Sequence, residues 1–435
     1  MTQDLDWKKS AQVMNAAWDG FCVKISHMFH KPEAEFIARL LKGVMIQKDV
    51  IISKCAKVCR KEGTSIATFC NIATKHLKKR TIEQNAHQTL LQMMAQTVHK
   101  DTLIIADESD LAKPYAHYFE TEEERGNSRS MEYVDRIRDG STGEITNGYS
   151  LFLVTACELG KHEPRPLLLR AWSTKADDYQ GETNEVLDGF RRVADALGDR
   201  GIYVYDRGGD RRAYFDFFIE RNLRFVIRLI GERNLIIHGG KFIKSVILAR
   251  SLETPVKINV DYEKKGKRYQ KTLSLGHIPV RLPGSDKELE LVVVKGLGMK
   301  PLMLLTSDLG DGLQDYLVRI LHTYMARWRI EECFRYIKER YHLENLRVLA
   351  YESIKSFVAV FAFIFTFISH EIKEIGEGVI KIIILSAQHT GPLPSFSYYI
   401  LADGISELFG CQRFWPCLYN PPKENPAQTK FPFFT

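Results

Sequence analysis

The sequence predicts a mixed α/β core that carries a β-rich insertion and is flanked by helical regions at both ends. Three observations predict it. Short apolar runs, TLIIAD at 102–107 and GIYVYD at 201–206, read as buried strands, with the amphipathic helix ETNEVLDGFRRVADALG between them. Residues 231–310 alternate apolar and polar side chains between glycine turns, which reads as β structure. Apolar residues recur at helical spacing through residues 1–98, and LHTYMARWRIEECFRYIKERYHLENL at 321–346 contains neither proline nor glycine.

Size and charge bound the reading. At 435 residues the chain is too long for one ordinary domain, and 45% apolar residues suffice for more than one core. Residues 1–100 hold 16 Lys and Arg against 8 Asp and Glu, a surplus of 8; the whole chain carries +7, which leaves −1 for the rest. The basic surplus is therefore N-terminal and suits an acidic partner. Eight cysteines lie scattered without CxxC pairs or zinc-spaced histidines, as expected of reduced thiols in a cytoplasmic protein. The start MTQDLDWKKS has no secretory pattern. The longest apolar run, FVAVFAFIFTFIS at 357–369, falls short of the roughly 20 residues of a membrane span and predicts a buried helix.

Residues 1–98 form the first unit. PEAEFIARLLKGVMIQ and DVIISKCAKVCRKEG read as helices, the second closing at Gly63, and Thr64 or Ser65 caps a third that ends in Lys78, Lys79 and Arg80. Helix, glycine turn and basic helix is compatible with a helix-turn-helix reader of the DNA major groove; a plain helical bundle has the same grammar.

The core's first part spans 99–230. Asp107 closes the TLIIAD strand, and the polar stretch after it is expected at the surface, with Lys113 solvated by default or else in contact with phosphate. GYSLFLVTACEL and RPLLLRAWS follow as strands, then the helix ending at Gly198, then GIYVYD closing at Asp206 beside Gly208 and Gly209. AYFDFFIERN is a helix and RFVIRLI a last strand. About 125 residues then separate Asp206 from Glu331, too many for a loop, and 231–310 is the β-rich insertion. KFIKSVILARS is read as one of its strands. Its tip, Lys264, Lys265, Lys267 and Arg268 between Tyr262 and Tyr269, suits phosphate contact with base stacking, or else a solvated turn.

Residues 311–345 return to the core with the helix at 321–346. Tyr324, Arg327, Glu331 and Lys338 sit at offsets of 0, 3, 7 and 14, within an arc of about 60° along roughly 21 Å. Ile330, Phe334, Ile337 and Tyr341 give the helix an apolar face to bury. One carboxylate with two cations and a phenol fits a metal-bound polyanion; an i,i+4 ion pair of Arg327 with Glu331 on a solvated face fits as well. Asp107 and Asp206 favour the first reading, because two strand-end carboxylates plus one from a helix is the count of a two-metal phosphoryl-transfer site. Residues 346–435 continue as apolar helix and end, from Gln388, in a loose proline- and aromatic-rich tail.

Tyr324-x2-Arg327-x3-Glu331-x6-Lys338 resembles, spacing for spacing, the Y-R-E-K signature of a branch of the bacterial insertion-sequence DDE transposases. DESDLAK from Asp107 and DRGGD from Asp206 are similar to that family's two earlier acidic motifs. The resemblance covers about residues 100–345. It implies an RNase H-like core, an insertion before the last acid, and an N-terminal helical domain that binds element ends. It also implies Asp107, Asp206 and Glu331 as ligands of two Mg²⁺ ions, replaceable by Mn²⁺, in preference to Asp110, Asp135, Asp139 or Asp210. The partners implied are double-stranded DNA, as element ends and as target, and a second copy of the chain in the active complex. Relatives that cut through a DNA hairpin often place a tryptophan in the insertion, whereas residues 223–310 contain none. A nuclease without strand transfer and a domesticated, silent DNA-binding protein are the alternatives.

Overall fold

The computed structural model describes residues 7–140, 142–264, 267–308, 313–389 and 391–410. It is a mixed α/β protein built on one large mixed sheet.

Five helices come first: α1 (Trp7–Ser26), α2 (Lys31–Gln47), α3 (Ile52–Cys59), α4 (Ile66–Leu77) and α5 (Arg80–Met94). Pro32 in the first turn of α2 and the Ser65 hydroxyl, which accepts from the Thr68 amide at 3.0 Å at the start of α4, set two of the helix starts. Arg60 ends α3, and Gly63 takes the positive φ of 77° in the turn that follows.

The core then runs β1 (Leu103–Ala112), α6 (Glu122–Arg125), β2 (Asp135–Arg138), β3 (Ile145–Cys157), β4 (Arg165–Trp172), α7 (Glu182–Leu197), β5 (Ile202–Tyr205), α8 (Arg212–Glu220) and β6 (Arg224–Arg228). β3 lies antiparallel to β1 and carries β4 and β2 end to end on its other edge; β5 and β6 lie parallel to β1 on the opposite side. Asp107 does not end β1. The strand continues to Ala112 because the 13-residue β3 pairs with it throughout, whereas β5 pairs only with Leu103–Ile105. The first residues of the stretch expected at the surface are therefore inside, with Asp110, Leu111, Ala112 and Lys113 buried, while residues 114–129 lie exposed or half-buried, as expected.

After β6 come β7 (Asn234–Ile236), β8 (Phe242–Lys244), α9 (Ser245–Ser251), β9 (Val256–Lys264), β10 (Lys267–Val280), β11 (Leu289–Lys295) and β12 (Leu302–Thr306). The region is β-rich, but SVILARS is the helix α9, since a short apolar run does not itself distinguish strand from helix. β12 pairs antiparallel with β6, and β11, β10 and β9 follow, so this segment prolongs the core sheet. Only residues 274–280 of β10 pair with β11; residues 267–273 pair with β9 alone and project as a two-stranded ribbon. Lys264 and Lys267 oppose each other near its tip, while Lys265 lies outside the described residues.

The signature segment is α10 (Leu313–Met325), a tight 3₁₀ turn at Ala326–Trp328, α11 (Arg329–Arg335) and a wide π turn at Tyr336–Arg340. It is not one uniform helix to residue 346. His342 adopts φ 50°, a left-handed conformation that stops the winding, and Leu343–Asn345 form a separate turn.

Next come α12 (Tyr351–Thr366), α13 (Ile372–Ile375), α14 (Glu377–Ser386) and α15 (Tyr398–Gly410). The helical run Tyr351–Glu371 is long and apolar enough to cross a membrane, but 89% of its most apolar window is buried inside the protein. The segment from Gln388 is not wholly a loose tail. Its residues 398–410 form α15, which buries Leu401, Ile405 and Leu408 and packs against α1, α2 and α14. The helices at both ends and the sheet share one continuous apolar core.

Candidate active site

The parallel ladder sets the site. The ladder ends with Ile105 beside Val204; Asp107 follows two residues on in β1 and Asp206 directly follows β5, close enough for its charge to act on Asp107. Tyr205 pairs with Ile227, which puts Arg228 opposite Asp206 in the next strand. Asp107, Asp206 and Arg228 thus form a row across β1, β5 and β6. The other parity holds Glu108, whose carboxylate accepts from the Tyr205 hydroxyl at 2.9 Å on the face packed by α7 and α8.

The signature segment covers the acidic row. Arg327 donates from Nη1 to Asp107 Oδ2 at 3.2 Å and from Nη2 to Glu331 Oε1 at 2.9 Å. It is almost fully buried, and its ring neighbour is Trp328, 4.9 Å from the guanidinium. Nε of Arg327 is buried without a partner among the described residues. Tyr324, also buried, receives Arg228 Nη1 on its hydroxyl at 3.5 Å. The Arg327–Glu331 pair expected of a solvated face therefore exists, but it lies against the sheet and reaches Asp107.

Burial pushes the Asp107 carboxyl up to about 7, helped by the charges of Asp206 and Glu331 and opposed by Arg327. Asp107 therefore lies within electrostatic reach of both Asp206 and Glu331. Asp206 Oδ1 accepts from the Gly208 amide at 2.6 Å, which fixes the turn after β5. Gly209 is required there because a Cβ would fall 2.7 Å from Tyr205 Cδ1 and 3.0 Å from Ile227 Cγ2. Among the described residues no three His, Cys, Asp or Glu side chains form a preassembled metal group. The hard carboxylate donors nevertheless suit Mg²⁺, which is commonly held by one or two carboxylates with substrate phosphates and water.

Lys338 pairs with Asp110 at 2.9 Å and with Glu344 at 3.3 Å. Asp110 also receives the Gly140 amide at 3.1 Å. Lys113, expected in solvent, is buried and donates to the carbonyls of Leu343 and Glu344 at 3.4 and 2.6 Å, and burial lowers its ammonium to about 7. The remaining acids have structural partners: Asp135 accepts from Thr174, Asp139 from the Thr142 amide, and Asp210 from Arg233 and the Ile230 amide. Of the insertion tip, Tyr262 and Tyr269 oppose each other in backbone register, as do Glu263 and Arg268.

Beside Glu331 opens a groove of about 660 Å³ lined by His162, His322, Trp328, Glu332 and Arg335. Sequence reading passed over Arg228 and this groove. The only available signal for Arg228 was a cation closing a strand next to the Asp206 strand.

No protein-family model matches the chain, and no curated protein matches it. Among solved structures it is similar to the piggyBac transposase synaptic complex with hairpin DNA, at 12% identity and a TM-score of 0.41, over 94% of this chain and 80% of that one.

Proposed function

We propose that the chain is a DDE transposase of the insertion-sequence type, with an RNase H-like core, acting on double-stranded DNA in the cytoplasm as a homodimer. One observation carries the reading: Asp206, directly after β5, lies within electrostatic reach of Asp107 on the adjacent parallel strand β1, with Glu331 joined to Asp107 through Arg327. The strand order, with β3 antiparallel to β1 and β4 antiparallel to β3 on one side, and β5 and β6 parallel to β1 on the other, supports the RNase H-like plan.

Asp107, Asp206 and Glu331 would hold two Mg²⁺ ions, or Mn²⁺ in their place, which supply a Lewis acid and an activated oxygen nucleophile for in-line displacement at phosphorus. The protein's own groups bind and orient the strand. Arg327 and Arg228 take phosphate oxygens, Tyr324 adds a hydroxyl donor, and Lys338 reaches a phosphate on leaving Asp110. Lys264, Lys265, Lys267 and Arg268 extend the contact along the duplex, and α3–α4 grips the element end.

The test uses the gene with its native flanking DNA on a plasmid, the purified chain, Mg²⁺ or Mn²⁺, and Glu331→Gln as control. Paired breaks at inverted repeats, followed by joined products and absent with Glu331→Gln, are expected. Cleavage at wild-type rate by Glu331→Gln would remove Glu331 from the chemistry. The pairing of Asp107 and Glu331 with Arg327 favours one second reading, a silent DNA-binding relative; binding to the flanks without breaks is its signature.

A further inference from the structure

Arg327 occupies an unusual position for a residue whose task is to meet a DNA phosphate. Its guanidinium is nearly inaccessible, bridges two of the three carboxylates of the site, and leaves Nε buried and unpartnered among the described residues. A cation already stands between Asp107 and Glu331. The backbone beneath it departs from regular α winding on both sides of α11, tight at 326–328 and wide at 336–340, a pattern associated with functional hinges.

Resting on the reading of Asp107 and Glu331 as metal ligands, we infer that Arg327 is an internal stand-in for the metal, holding the two carboxylates until a DNA phosphate draws the guanidinium away. In the DNA-free protein the arginine and the divalent ion compete for the same oxygens. A backbone phosphate offers the guanidinium a bidentate partner of equal kind, so DNA binding releases both carboxylates together. Metal loading is thereby ordered after DNA, which withholds hydrolytic chemistry from a protein without substrate. A divalent ion and a DNA phosphate each favour the open arrangement, so each raises the affinity of the other.

The experiment measures Mn²⁺ binding to the full-length chain by electron paramagnetic resonance, with and without a duplex oligonucleotide carrying the element end. For wild type we expect weak binding that tightens at least tenfold with the duplex. Arg327→Gln is expected to bind Mn²⁺ about tenfold more tightly than wild type without DNA and to gain little on adding it. Arg327→Lys, which keeps the charge but is too short to bridge both acids, should fall between them and serves if the Gln variant does not fold. Equal or weaker Mn²⁺ binding in folded Arg327→Gln overturns the inference. Asp107→Asn and Glu331→Gln, measured alongside, separate the two claims. If they abolish binding while Arg327→Gln leaves it unchanged, the metal site stands and the stand-in role falls. If neither affects binding, the metal assignment falls and takes the inference with it.

Discussion

At the scale of single residues, burial and the neighbouring carboxylates together raise the Asp107 carboxyl against the pull of Arg327. With its carboxyl pushed up to about 7, below that pH a proton would compete with the divalent ion proposed there for the same oxygens. Mn²⁺ affinity should fall by about tenfold per unit as pH drops below 7, and titration calorimetry from pH 5 to 8 checks it. Lys113 has the opposite sign. Its folded ammonium is depressed to about 7 while the unfolded one titrates near 10.4, so between those values only the unfolded chain binds the proton. Stability therefore rises with pH from 7 to about 10, and Lys113→Met should flatten that slope in urea unfolding series. Arg228→Ala should weaken DNA binding and lower its salt slope by about one, read by fluorescence anisotropy at several salt concentrations. The acids were legible in the sequence because each closes an apolar run or fits a helical spacing. Arg228 was not, because register between strands is absent from any single segment. Neither was the burial of Asp110 and Lys113, which depends on how far β3 accompanies β1.

Elements were legible where periodicity ran long. The helix at 182–197 and the strands at 202–205 and 224–228 follow directly from their patterns. Failures came where a neighbour decides. The uniform helix expected over 321–346 is broken by changes in winding that no propensity encodes, and α15 lies within what composition alone marks as a loose tail. Its packing rests on Gly404, where a Cβ would come 1.9 Å from the Ile383 carbonyl oxygen of α14. That neighbour is backbone and has little room to yield. Gly404→Ala should therefore cost about 1–3 kcal/mol, measured by chemical denaturation.

At the scale of the whole molecule, the five segments read from the sequence meet in one body. N-terminal helices, sheet and C-terminal helices share one apolar core, and Asp403 of α15 pairs with Lys48 after α2 and with Arg340 of the signature segment. Calorimetry of the full chain should show a single cooperative transition, with no earlier melting of residues 7–98. The ribbon beyond β11 joins that cohesion only at its base, where Leu273 is buried in the core and Ile258 and Val260 pack against it. Residues 267–272 of β10, paired with β9 alone, extend roughly 20 Å from that base as a cantilever. An isolated pair of strands is marginally stable in water, so its stiffness is borrowed from whatever rests on it. A duplex laid along the ribbon would turn a compliant beam into a rigid one, and a load at its tip would be felt at the root in β11, β12 and β6, two strands from Asp107.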